Sequence, residues 1–289
     1  MHAPDSPDNV WPTLEIPFKA LEQSRAFPHA FVRSALFSSR KFSGEAIRLN
    51  ASEEAPITIA SLKTYHLVQL AGERLDQGDC EVYTWLLNRA YQRNVAGSAD
   101  ARIFFTREEA IVELGRSRGS RNFQLFDDSL LRLYRADVAF RLPNAEGRMR
   151  LISSIEKPHK TEAREYDYEI LIAAKAGDFF RGNDFKLLAN TERKKLDDYL
   201  SKWVHAFYSS HTAPFDITTA KIKQLADREG MQESKWRAAL AMSLAKVQEV
   251  TKWPICRVIE SGDAPAKVVV VKGARKIKRA PLKLSQEET

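Results

Sequence analysis

The sequence predicts an α+β fold made of two tandem winged-helix (helix-turn-helix) domains with small antiparallel β-sheets. Three observations carry this. A strand, a short capped helix, a tight turn, a longer amphipathic helix and a hairpin follow one another between Ile103 and Ile155. The same plan recurs between Pro214 and Val271. The starts of both longer helices are rich in basic and amide side chains.

The 289 residues and their 44% hydrophobic content suffice for about two cores of ordinary size. The expected division is a flexible N-terminal arm over 1–30, a first winged-helix domain over 31–160, a second over 161–273 and a basic disordered tail over 274–289. Pro4, Pro7, Pro12, Pro17 and Pro28 discourage regular structure in the arm. Ile57, Ile59, Leu62 and Tyr65 suggest a strand or hairpin before Val68. Val82, Trp85, Leu86 and Ala90 recur at helical spacing and predict a helix from about Asp79 to Arg93.

Ile103-Phe104-Phe105 reads as a short strand. Thr106 and Glu109 then form a capping box, in which each side chain satisfies the other residue's free amide at a helix start. That short helix buries Ile111 and Leu114 and stops at Gly115. The longer helix, from Ser120 to Arg135, turns Phe123, Phe126, Leu130 and Leu133 to one side. Val138–Leu142 and Met149–Ile155 make the first hairpin, the wing.

In the second unit, Tyr168–Ala174 is read as its leading strand. A helix is expected from Thr191 to Ser209, with Leu196, Tyr199, Leu200, Trp203, Val204 and Phe207 inward. Thr218 or Thr219 caps a short helix holding Ile222 and Leu225. The longer helix from Glu233 to Val250 buries Trp236, Leu240, Leu244 and Val247, and Ile255–Ile259 with Lys267–Val271 forms the second wing.

The chain carries 45 Lys+Arg against 38 Asp+Glu, a formal +7 that suits an anionic partner, nucleic acid first. Cys80 and Cys256 are too few and too far apart for a zinc or disulfide framework and read as thiols of a reducing compartment. No phosphate-binding loop, dinucleotide fingerprint or HExxH motif is present, and His2, His29, His66, His159, His205 and His211 do not cluster at metal-ligand spacing. Asp197 and Asp198 are adjacent, diverge on a helix and make a poor metal pair. The expectation is a non-enzymatic, cytoplasmic protein without a cofactor.

The second helix of a helix-turn-helix enters the major groove with its first turns. There Arg pairs with guanine, and Asn or Gln with adenine. In the first unit the candidates for this work are Arg116, Arg118, Ser120, Arg121, Asn122 and Gln124. In the second they are Gln232, Ser234, Lys235 and Arg237. Arg148 and Arg150 in the first wing, and Lys267 and Lys272 in the second, are placed for phosphates. A winged-helix transcriptional regulator would show the same features.

Four segments, in order, resemble the TrfA-type plasmid replication initiators. They are Arg33-Ser34-Ala35-Leu36-Phe37-Ser38-Ser39-Arg40; Gly72-Glu73-Arg74-Leu75 with Asp79 and Trp85; Phe207-Tyr208-Ser209-Ser210-His211 with Pro214-Phe215-Asp216; and Ser234-Lys235-Trp236-Arg237. The resemblance implies a protein that binds repeated double-stranded sites (iterons) at an origin, helps open it, and engages the host initiator DnaA, the replicative helicase and the sliding clamp. The family's clamp-binding peptide, of Gln-Leu-Ser-Leu-Phe type, has no counterpart here. Gln124-Leu125-Phe126 comes nearest, but it sits in a helix with Phe126 turned to the core.

The tail holds Lys272, Arg275, Lys276, Lys278, Arg279 and Lys283 and no acid between them. Deleting 274–289 should weaken binding to all DNA sequences about equally. It should also flatten the salt dependence, by about 0.9 in slope for each phosphate that the tail neutralises. Salt titrations on a cognate and an unrelated duplex check this, and an altered sequence preference would contradict it.

Overall fold

A computed structural model describes residues 24–42, 50–62, 67–92, 101–142, 145–159, 165–173, 176–177, 179, 184–261 and 264–273. The first 23 residues of the expected arm and the tail from residue 274 lie outside these. Strand Ser24–Pro28 (β1) runs straight into helix His29–Val32 (α1). Short strands Phe37–Ser38 (β2), Asn50–Ala51 (β3) and Ile57–Thr58 (β4) precede Leu67–Glu73 (β5) and Leu75–Asp76 (β6). Helix Gln77–Gln92 (α2) and strand Ala101–Phe105 (β7) lead to the first helix-turn-helix, Arg107–Glu113 (α3) and Ser120–Arg135 (α4). Its hairpin is Asp137–Leu142 (β8) and Ala145–Arg150 (β9). Ser154–Glu156 (β10), Tyr168–Ile172 (β11) and Phe185–Ala189 (β12) follow. The rest is Asn190–Arg193 (α5), Tyr199–Ser210 (α6), Ile217–Thr218 (β13), Thr219–Leu225 (α7), Glu233–Thr251 (α8), Ile255–Ser261 (β14) and Ala264–Val271 (β15).

The second unit has the plain winged-helix layout. After α6, strand β13 pairs antiparallel with β15, and β15 with β14, giving one three-stranded sheet beside α7 and α8. The first unit departs from it. Its wing, β8–β9, joins β5 in a five-stranded sheet, while β7 leaves the wing and pairs with β11. Tyr168–Ile172 is therefore not the second unit's leading strand. Tyr168, Ile170 and Ile172 alternate into the first core opposite Phe105, Ile103 and Ala101, and the Tyr168 hydroxyl donates to Asp127 of α4 at 2.5 Å.

Two further expectations need correction. The arm does not extend to residue 30, because β1 pairs with β12 from Ser24↔Ala189 to Pro28↔Phe185, burying Ala26 and Phe27. The helix expected over 191–209 is broken. Helix α5 ends at Arg193, and the Asp198 carboxylate accepts from the Ser201 amide at 2.8 Å and so caps a new helix, α6. Asp197 and Asp198 are also paired, with Lys246 at 2.8 and 2.9 Å, rather than merely solvated.

Helix α6 holds the halves together. It is buried on every side, as expected of a helix inside a core. Leu200, Trp203, Val204 and Phe207 pack into the second hydrophobic cluster, and Ala206 into the first. Its C-terminal carbonyls are satisfied from both directions. The guanidinium of Arg33 donates to the Ser210 hydroxyl (2.8 Å) and carbonyl, and Lys272 donates to the carbonyls of Ser209 (3.2 Å) and His211. Cations there also complement the helix dipole. Burial, then the charges of Arg33 and Lys272, push the His211 imidazole down to about 4, so it packs neutral.

Beneath α6 lies an ion cluster. Glu81 of α2 meets Lys202 of α6 at 2.8 Å, Arg193 of α5 at 3.7 Å and Arg116 of the first unit's turn at 3.8 Å. Burial alone would raise the Glu81 carboxyl, but Lys202, Arg193 and Arg116 outweigh it and hold it below the ordinary range. A depressed carboxylate contributes stability that is complete above its unfolded value of 4.5 and is lost as pH falls through the lower folded value. Glu81→Ala strands the buried Arg193 and should cost up to about 3–5 kcal/mol in chemical denaturation. Glu81→Gln should remove part of the acid-unfolding limb below that pH.

Candidate nucleic-acid interface

The longer helix of each helix-turn-helix, the candidate reader, is built and anchored locally. In the first unit, the Thr106 hydroxyl accepts from the Glu109 amide at 3.1 Å and the Glu109 carboxylate accepts from the Thr106 amide at 3.4 Å, completing the capping box. Gly115 ends α3 with φ +72°, a left-handed conformation that suits glycine. Arg132 and Ser129 of α4 bind the fully buried Asp79 of α2, with Arg132 Nη2 at 2.8 Å from Asp79 Oδ1. The Trp85 indole donates to Glu113 at 2.6 Å, tying α3 to α2. In the second unit the Thr218 hydroxyl accepts from the Lys221 amide at 3.2 Å, and the buried Trp236 indole donates to the Thr219 carbonyl at 3.2 Å.

The two recognition helices can be registered by their buried stripes. Phe126, Ser129, Leu130 and Leu133 of α4 match Leu240, Ser243, Leu244 and Val247 of α8. This register places Arg121 opposite Lys235 and Ser120 opposite Ser234. Arg121 and Lys235 are both exposed, and neither side chain has an ion pair or hydrogen bond among the described residues. Each helix thus presents one uncommitted cation in its first turn.

The other expected readers divide by what they already hold. Arg118 and Gln124 are exposed, and their partners, Glu108 at 3.0 Å and Asp128 at 2.8 Å, are surface contacts of small worth. Gln232, Ser234 and Ser120 are exposed. Asn122 instead braces the turn, donating to the Ser117 carbonyl at 2.7 Å and hydroxyl at 3.0 Å. Arg116 turns inward to Glu81 and the Gly78 carbonyl. Arg237 spans Glu233 at 3.3 Å and Glu260 of the wing at 3.1 Å, so it ties α8 to β14.

In the first wing, Arg148 pairs with Asp137 at 3.0 Å and Arg150 lies 5.8 Å over the Tyr134 ring. In the second, Lys267 is exposed and uncommitted among the described residues, while Lys272 is spent on α6 and the Trp253 ring.

Two residues went unnoticed in the sequence. Arg257 shares the outward face of the second wing with Lys267, because Arg257↔Val269 and Ile259↔Lys267 are facing pairs while Cys256, Val268 and Val270 point inward. Strand alternation was the signal for it. Leu125, 47% exposed, stands beside Arg121 on the exposed face of α4, the candidate reading face, where an apolar side chain suits a thymine methyl. Its place off the buried stripe was the signal.

No family model and no curated protein matches the chain in sequence. Among solved structures it is similar to domains 2 and 3 of RctB, with a TM-score of 0.53 and 12% identity over 85% of this chain and 98% of that one. A second structure of the same RctB domains gives a TM-score of 0.47 and 12% identity over 77% and 94%. The Pi initiator protein in complex with iteron DNA gives 0.47 and 12% over 66% and 91%. The likeness to RctB is one of fold, and it extends through both winged-helix units.

Arg121→Ala and Lys235→Ala should each relax specificity at one base position by about 1–3 kcal/mol. Arg237→Ala should leave base preference intact and loosen the second wing. Binding measured against a panel of single-base variants of the site checks both.

Proposed function

We propose that this protein is a non-enzymatic plasmid replication initiator of TrfA type. It binds directly repeated duplex sites at its origin through both recognition helices, promotes opening of the adjacent DNA and recruits host replication proteins in the cytoplasm. The observation that carries the reading is the matched pair Arg121 and Lys235, each exposed and uncommitted in the first turn of its helix and both held in fixed relation by α6. One chain therefore offers two major-groove readers to one stretch of duplex. The four ordered segments that resemble TrfA-type initiators, and the two-domain likeness to RctB, support the initiator role over a single-module repressor. By the same resemblance the host partners are DnaA and the replicative helicase, whereas the peptide with which the family binds the sliding clamp has no counterpart in this chain.

Footprinting on the protein's own replicon should reveal several tandem protected repeats, and permanganate should report unpaired thymines beside them once the protein is bound. Protection of a lone operator without melting would identify a winged-helix transcriptional regulator instead and refute the initiator reading.

A further inference from the structure

We propose that Lys194 and Lys195, in the turn between α5 and α6, form a DNA-phosphate contact between the two reading heads. The inference rests on the reading of both heads as duplex-DNA binders and adds a site outside either helix-turn-helix.

Lys194 follows α5, yet it lies against the first unit's helix-turn-helix. A Cβ on Gly115 would stand 2.8 Å from Lys194 Cε and 3.2 Å from Nζ. The ammonium therefore sits where α3 turns toward α4, a few residues before Arg118 and Arg121. It is not consumed in closing α3. The carbonyls of Ala110, Ile111 and Val112 already accept from the amides of Leu114, Arg116 and Gly115 at 2.9 Å each.

Neither ammonium of the pair is bound by an acid. Lys194 and Lys195 are exposed, and neither side chain has an ion pair or hydrogen bond among the described residues. The acids around them are engaged elsewhere. Glu192 holds His205 at 2.9 Å, Asp197 and Asp198 share Lys246, and Glu81 has its own three cations.

The turn is firmly held. Arg193, 4% exposed, donates to the Lys202 carbonyl at 3.0 Å and lies 5.0 Å over the Phe27 ring. Ordering the two lysines on a phosphate thus costs side-chain entropy only. Their placement follows from α8. Lys246 is bonded to Asp197 and Asp198 beside the pair, and Lys235 precedes it on the same helix by about 16 Å at 1.5 Å per residue. Lys194 therefore touches the first head's turn, with Lys195 next to it in sequence, and the pair stands well back from the second head's tip.

The test uses the full chain, with Lys194→Ala/Lys195→Ala compared with wild type on the cognate repeat and on an unrelated duplex. Salt titration should show the slope of log K against log salt shallower by about 1–2, with the same fractional loss on both duplexes and unchanged base preference. Denaturation midpoints should match, since neither lysine supports the core. Replacing the phosphates between the two protected segments with uncharged methylphosphonates should weaken wild type and leave the double variant unaffected. An unchanged slope, or equal sensitivity of both proteins to the methylphosphonates, overturns the proposal while leaving DNA binding by the two heads intact. Absence of salt-dependent binding by wild type to either duplex overturns the reading of the heads, and this proposal with it.

Discussion

The carboxylate of Glu81 is the point on which the two halves of the molecule turn. It leaves α2 of the first unit and meets cations from α5, α6 and the first helix-turn-helix turn. A half-buried acid among three bases is costly to break, because Lys202 and the buried Arg193 would each lose an ion pair in a poorly solvated place. The cluster thereby couples the helix that opens the second unit to the turn that aims the first recognition helix. Around it, α6 is buried on all sides, and Ser39 accepts from Arg228 at 2.8 Å while its own hydroxyl reaches the Ala226 carbonyl at 2.7 Å. The segment from Arg33 to Arg40 thus acts as a strap between the units.

This coupling explains why the two winged-helix units differ. The second keeps its three-stranded sheet, with β15 between β13 and β14. The first must also carry β1, β10, β11 and β12, so β7 is drawn into a separate sheet with β11 and the wing takes β5 as its neighbour. Gly72 marks the place where this is tightest. A Cβ there would stand 2.7 Å from the Arg135 carbonyl, where β5 passes the end of the recognition helix.

The interface has a division of labour that charge counting does not show. Arg116, Asn122, Arg237 and Lys272 hold the scaffold in shape, and Arg121, Lys235 and Lys267 remain open to a partner. A basic side chain already satisfied by protein must give up that partner before it gains a base or phosphate. On the proposed reading, the uncommitted ones therefore contribute the larger share of the recognition energy.

Much of this could be read in the linear chain because it depends on neighbours close in sequence. The Thr106–Glu109 capping box, the stripe from Phe126 to Leu133, the turn at Gly115, the stripe from Trp236 to Val247 and the two hairpins all follow from spacings of a few residues and are present, except that the first wing returns over Ala145–Arg150 and the expected strand from Met149 to Ile155 is divided, Ser154–Glu156 pairing with β11. The sequence by itself thus determined two helix-turn-helix units and which residues begin the longer helix of each. Other features depended on partners far along the chain. The pairing of β1 with β12 joins residues about 160 apart, the transfer of β11 to the first core follows from its match to β7, and the inward turn of Arg116 answers to an acid 35 residues earlier. Only the tertiary structure decided which cations are spent and which are free, because a side chain's partner is set by what the fold brings within reach and not by its place in the sequence.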